Sequence, residues 1–254
     1  MTMRFIKNKI QILSIILLGI ILQSFSGCSG GDPEPVKVIK EPISIQFNHF
    51  YNGDPLVLNK VYRSAQNNDM WFTKKRYYLS NIVGVKSDGN KELISDIALI
   101  DASNPSADNI ITGNIVRGDY TAIMFDLGVR QDLNAMDPAT FTISHPLSVT
   151  HNMYWGWSTQ YVFSKCEGFE IGGHDTTSFV IHTGTQDLYR PEVSIARQFT
   201  LAAGGSQISI NLDLYNLLKQ NEYTFDFIQD GQSHTGDNKP LAIQYMDNFK
   251  NAFN

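Results

Sequence analysis

Ile43, Ile45, Phe47 and His49 alternate with Ser44, Gln46 and Asn48, a period of two that describes a strand with one buried face. The same pattern returns down the chain. Lys75 to Val85 reads as a strand closed by Asp88-Gly89, a hairpin signal that leads back into the chain around Leu93. Ile97 to Asp101, Tyr120 to Leu127, Gln160 to Phe169 and Phe179 to Thr183 follow as strand candidates. In the carboxyl half Val193, Ile195, Phe199 and Leu201 share a face, Ile208, Ile210 and Leu212 share another, and Gly204-Gly205 between them predicts a hairpin. Leu214 to Lys219 and Pro240 to Phe249 read as short helices. Many short strands without βαβ alternation predict an all-β fold, an antiparallel β-sandwich with short peripheral helices and loops that carry the function.

The amino terminus follows a different rule. Arg4, Lys7 and Lys9 precede an apolar run of 13 residues, Ile10 to Leu22, too short for a membrane-spanning helix, which needs about 20. That is the anatomy of a secretory signal peptide. It closes on Phe25-Ser26-Gly27-Cys28, small residues before a cysteine, which reads as a lipoprotein cleavage site with Cys28 as the acylated first residue. An ordinary secretory signal with an incidental cysteine is the weaker alternative. The expected organisation is a signal peptide over 1–27, a flexible tether over 28–42 and one sandwich domain over 43–254. The implied location is the cell envelope, with the chain anchored by lipid to a bacterial membrane, the outer one by expectation.

Cleavage after residue 27 removes three positive charges and takes the formal net charge from −5 to −8, which argues against nucleic acid as a partner. Cys166 is then the sole cysteine besides the anchor, so stability must come from the core rather than from an intrachain disulfide. Between Phe163 and Phe169 it reads as a small buried hydrophobe rather than a soft metal ligand. The sequence carries no Gly-x-Ser-x-Gly, no His-Glu-x-x-His and no phosphate-binding glycine loop. No catalytic residue is therefore assigned, and a binding protein is expected rather than an enzyme.

The segment Met153 to Gly168 holds Trp155 and Trp157, two of the three tryptophans, two residues apart within a strand-like stretch. Taken alone, these side chains fill a sandwich core or cover its edge. The six histidines form no tight pair, so a metal site would have to be assembled from distant strands. His49 is in register with an apolar face. His182 ends an apolar strand before a Gly turn, and His234 lies in a polar loop before the last helix. His145, His151 and His174 read as surface residues.

Taken in order, several segments resemble the MbnP-type family of bacterial periplasmic proteins and lipoproteins, related in theme to the copper-binding proteins MopE and CorA. They are Ile-Gln-Phe-Asn-His-Phe-Tyr-Asn-Gly at 45–53, Arg-Tyr-Tyr-Leu-Ser-Asn-Ile at 76–82 and Gly-Asp-Tyr-Thr-Ala-Ile-Met-Phe-Asp-Leu-Gly-Val at 118–129. Met-Tyr-Trp-Gly-Trp at 153–157, Phe-Val-Ile-His-Thr-Gly at 179–184 and Ser-His-Thr-Gly at 233–236 complete the series.

The resemblance implies a β-sandwich outside the cytoplasm with a copper site. In that family a tryptophan is oxidised to kynurenine by a di-haem cytochrome peroxidase-like partner, and its nitrogen joins two histidines around the metal. By motif the tryptophan is Trp155 or Trp157 and the histidines are His182 and His234, with His49 a third candidate. The chain departs from the commoner pattern at Thr159-Gln160, where Ser-Gly is usual, at Cys166, and at Thr183-Gly184-Thr185, where a second Gly is lost. The alternative function is a surface-exposed module that recognises glycan or protein through the sandwich loops.

Overall fold

A computed structural model describes residues 37–103, 109–156, 159–220 and 223–254. Cys28, the signal peptide and Trp157 lie outside the described residues, as does most of the expected tether. In the first half the strands are β1 (Lys40–Tyr51), β2 (Asp54–Pro55), β3 (Tyr62–Arg63), β4 (Asp69–Lys86), β5 (Lys91–Asp101), β6 (Ile110–Val116) and β7 (Gly118–Leu127). They continue with β8 (Tyr154–Trp155), β9 (Gln160–Gly172), β10 (Asp175–Gly184), β11 (Arg190–Leu201), β12 (Ser206–Asp213) and β13 (Gln232–His234). The helices are α1 (Gln131–Asn134), α2 (Leu214–Leu218) and α3 (Lys239–Lys250).

The fold is an all-β sandwich. A small sheet runs β12-β1-β2, with β6 also on β1, and a large one runs β11-β7-β4-β9-β10-β13, with β3, β5 and β8 attached. The alternation read in the first strand is the inward face of β1: Ile43, Ile45, Phe47, His49 and Tyr51 are all buried. Phe47 meets Phe125 of the large sheet edge-on at 5.8 Å, which places the core between the two layers. β4 organises the large sheet, pairing with β9 through its first half and with β7 and β5 through its second.

Two expectations need correction. β11 and β12 do not form a hairpin: β11 pairs with β7 in the large sheet, and β12 lies parallel to β1 in the small one. The Gly204-Gly205 turn carries the chain across from one layer to the other. Both residues have positive φ, +94° and +85°, and a Cβ at Gly205 would collide with the Pro42 carbonyl oxygen. The sheets are accordingly mixed, since β13 also runs parallel to β10. The last helix packs on the sandwich through an apolar stripe, Leu241, Ala242, Tyr245, Met246 and Phe249 of α3, that is buried against the core. Finally, Lys40–Pro42 belong to β1, where they pair with β6.

Candidate metal centre

Two neighbours of β10 build the site. β9 pairs with it antiparallel, and β13 pairs with it parallel, in a register that sets His182 directly opposite His234. Directly opposed residues of adjacent strands carry their side chains side by side. Histidines far apart in sequence thus become neighbours, with ring centres 5.3 Å apart and planes at 88°. Thr235, at φ 71°, donates its hydroxyl to the His182 carbonyl at 3.1 Å and ties the end of β13 to β10.

Trp155 joins them from the other side of β9. Its short strand β8 pairs Tyr154 with Tyr161 and Trp155 with Gln160. The indole lies 5.3 Å from the His182 ring and 5.9 Å from that of His234. Lys165 Nζ stands 5.5 Å from the Trp155 ring centre and donates to the Asn152 carbonyl at 2.6 Å. Three of the residues singled out from sequence therefore converge.

Each imidazole is held by a carboxylate. His182, only 7% exposed, places Nε2 2.8 Å from Glu167 Oε1, while Glu167 Oε2 accepts from Lys74 Nζ at 2.9 Å. The His182 hydrogen bond, with help from Lys74, outweighs burial and holds the Glu167 carboxyl down at about 2. Burial pushes His182 below the ordinary imidazole range, against the pull of Glu167. Its Nδ1 is buried and has no hydrogen-bond partner among the described residues. His234 is more open, with 43% of its side chain exposed, and sets Nδ1 2.9 Å from Asp237 Oδ2. Asp237 Oδ1 accepts the His234 backbone N–H at 2.6 Å. Although burial would raise the Asp237 carboxyl, these bonds from His234 keep it below the usual range.

His49 lies apart. It sits in the small sheet with Nε2 3.1 Å from the Tyr77 hydroxyl, and no contact described for it reaches His182 or His234. Among the described residues no three His, Cys, Asp or Glu side chains stand together as a metal-binding group. Among the His, Cys, Asp and Glu side chains described, the cluster brings together the imidazoles of His182 and His234. His174 is exposed, as expected. His145 and His151 are half-buried instead: His145 stacks on Phe141 at 4.2 Å, and His151 contacts the His145 carbonyl at 3.0 Å.

Sequence reasoning missed Glu167 and Asp237. Asp237 follows His234 by three residues, a spacing that could have been noticed. Glu167 is legible only once the β9–β10 register is known, because it follows Lys165, the residue opposite His182, by two positions on the same face.

The model of the MbnP family matches residues 40–235. The chain belongs to the MbnP family. Among solved structures it is similar to MbnP from Methylosinus trichosporium, with a TM-score of 0.50 and 16% identity, over 71% of this chain and 78% of that one. At that identity the likeness speaks for the fold alone. No curated protein matches the sequence. Two residues beside the cluster sit on unusual backbone: Gln160 at φ 64° and Thr185 at φ 70° occupy the left-handed region that favours glycine. They flank a close contact, since a Cβ at Gly184 would lie 2.6 Å from that of Thr159.

Proposed function

We propose that this protein binds copper in the cell envelope, as a carrier or store rather than an enzyme, through His182, His234 and a nitrogen derived from Trp155. The observation that carries this reading is the convergence of the three rings, with centres no more than 5.9 Å apart. Metal–nitrogen bonds of about 2 Å let neighbouring imidazoles share one ion. The donors fit a soft metal better than a hard cation that demands several oxygens. The orphaned, buried Nδ1 of His182 supports the same reading, because a buried polar atom without a partner costs stability unless something compensates it.

An indole nitrogen is a donor only, so Trp155 as synthesised lines the cluster without coordinating. Conversion to kynurenine frees an aryl amine with a lone pair at the same place. We assign that oxidation to a di-haem cytochrome peroxidase-like partner. Copper, when bound, would be a soft monovalent cargo. His182 and His234 would hold it, and Trp155 would shield it from solvent on the β8 side. Acylation of Cys28 would keep the protein at a membrane, the outer one in this reading.

The test is to purify the mature chain from cells with and without that partner, then measure its copper and map its peptides. One copper per chain, with kynurenine at position 155 when the partner is present, is the expected result. Absence of copper from both preparations would end the proposal.

A second reading rests on a different surface. A cleft of about 360 Å³ is lined by Arg76, Asp101, Ser144 and His151 and floored by Ile97 and Leu99. Arg76 is fixed there by Asp101 at 2.6 Å and donates to the His151 carbonyl at 3.1 Å. Polar groups around an apolar floor suit glycan or peptide recognition. A glycan and protein array would decide, and a blank array would remove this reading.

A further inference from the structure

The two imidazoles of the cluster are held through different nitrogens. His182 meets Glu167 through Nε2, and His234 meets Asp237 through Nδ1. A carboxylate only accepts, so in each neutral ring the nitrogen facing it must carry the hydrogen, and the opposite nitrogen is left with its lone pair. For His182 that lone pair is on Nδ1, the buried atom without a hydrogen-bond partner among the described residues. For His234 it is on Nε2.

We propose that Glu167 and Asp237 are positioning residues that select opposite tautomers, so that His182 coordinates through Nδ1 and His234 through Nε2. This rests on the copper reading given above and adds to it which atoms bind and what holds them. A carboxylate on the far nitrogen of a metal-bound histidine fixes the ring orientation and makes the ligand nitrogen more basic. The two carboxylates are anchored differently. Glu167 is shared with Lys74, whereas Asp237 is locked onto the backbone N–H groups of His234 and Asn238, at 2.6 and 2.8 Å. Asp237 therefore orients its histidine from within one turn of chain. Glu167 reaches across the sheet from β9 to β10.

The test is long-range ¹⁵N–¹H NMR of the histidines in the metal-free protein, together with Cu(I) affinity by competition with a chromogenic chelator. Wild type should show the proton on Nε2 of His182 and on Nδ1 of His234. Glu167→Gln and Asp237→Asn should shift these populations and weaken Cu(I) binding by roughly 10- to 100-fold. Lys74→Met removes the other half of the Glu167 ion pair but leaves the carboxylate on His182, so it should keep both the tautomer and the affinity. This control separates positioning from general loss of stability. If His182→Ala abolishes binding while Glu167→Gln and Asp237→Asn change neither tautomer nor affinity, the positioning role is wrong and the copper reading stands. If wild type binds no Cu(I), both fall.

Discussion

His49 and His182 are buried to nearly the same degree, 8% and 7% exposed, yet their surroundings differ. His49 faces a sealed polar cluster in the core. Its Nε2 contacts the Tyr77 hydroxyl, and nearby Lys75 is wholly buried, with Nζ 2.6 Å from Tyr245 Oη, 3.2 Å from Ser164 Oγ and 3.6 Å from the Phe249 ring centre. Below about pH 7 the Lys75 ammonium repels a metal ion there as it repels a proton. His182 has a carboxylate on one nitrogen, nothing described on the other, and a second histidine beside it. Burial alone therefore does not mark a ligand. In the copper reading proposed above, what marks one is a lone pair left over after the local hydrogen bonds are made.

The contrast can be broken first at the scaffold. Tyr161 and Phe163 are fully buried beneath the β8–β9 pair, so Tyr161→Ala or Phe163→Ala should each cost about 3 to 5 kcal/mol by denaturant unfolding. A loss under about 1 kcal/mol would mean that this layer is not packed as described. His49→Ala should cost at least about 2 kcal/mol, as buried large-to-small changes do, and leave copper affinity unchanged. Weakened copper binding in a folded His49→Ala protein would bring His49 back as a ligand.

The sealed cluster should also be sensitive to pH in two windows. Burial, reinforced by Lys75, pushes His49 from 6.5 down to about 3. Between those values the unfolded chain takes up a proton that the native chain refuses, so stability falls as pH drops through this window. Burial likewise lowers Lys75 from 10.5 to about 7, so its cost is present in full below about 7 and is relieved as pH rises toward 10.5. Thermal melts from pH 4 to 10 should show both trends, and Lys75→Met should flatten the alkaline one. An alkaline slope unchanged in Lys75→Met would place that proton elsewhere.

The smallest effects belong to the open cluster and its rim. Gln160→Gly should stabilise the fold by about 1 kcal/mol, because it relieves a left-handed residue at the site edge. His234→Ala, half-exposed, should change stability by about 0.5 kcal/mol or less and yet weaken copper binding strongly. A large stability loss without loss of copper would reverse the roles assigned to the two regions.

Much of the sandwich was legible because alternation survives in a single sequence: the buried face of β1 and the β4–β5 hairpin at Asp88-Gly89 stand as read. The Gly204-Gly205 crossing was not. A turn between two alternating strands looks the same whether the strands pair with each other or enter different layers, and only the partners β7 and β1 distinguish the two. At the site, His182, His234 and Trp155 were named through the order of motifs, but their meeting depends on the register of β10 with β13 and of β8 with β9, which local pattern does not encode. Lys75 was hidden for a related reason. An alternating strand places it on an inward face, yet the middle residue of the basic run Lys74-Lys75-Arg76 reads as surface until α3 is seen to cover it with Tyr245 and Phe249.

The central claim is that one copper ion is held by two imidazoles from the paired strands β10 and β13 beside Trp155. Cu(I) competition titration of the mature wild-type protein against the His182→Ala/His234→Ala double variant tests it directly. One equivalent bound by wild type and none by the folded double variant is the predicted result. Equal binding by the two proteins would contradict it.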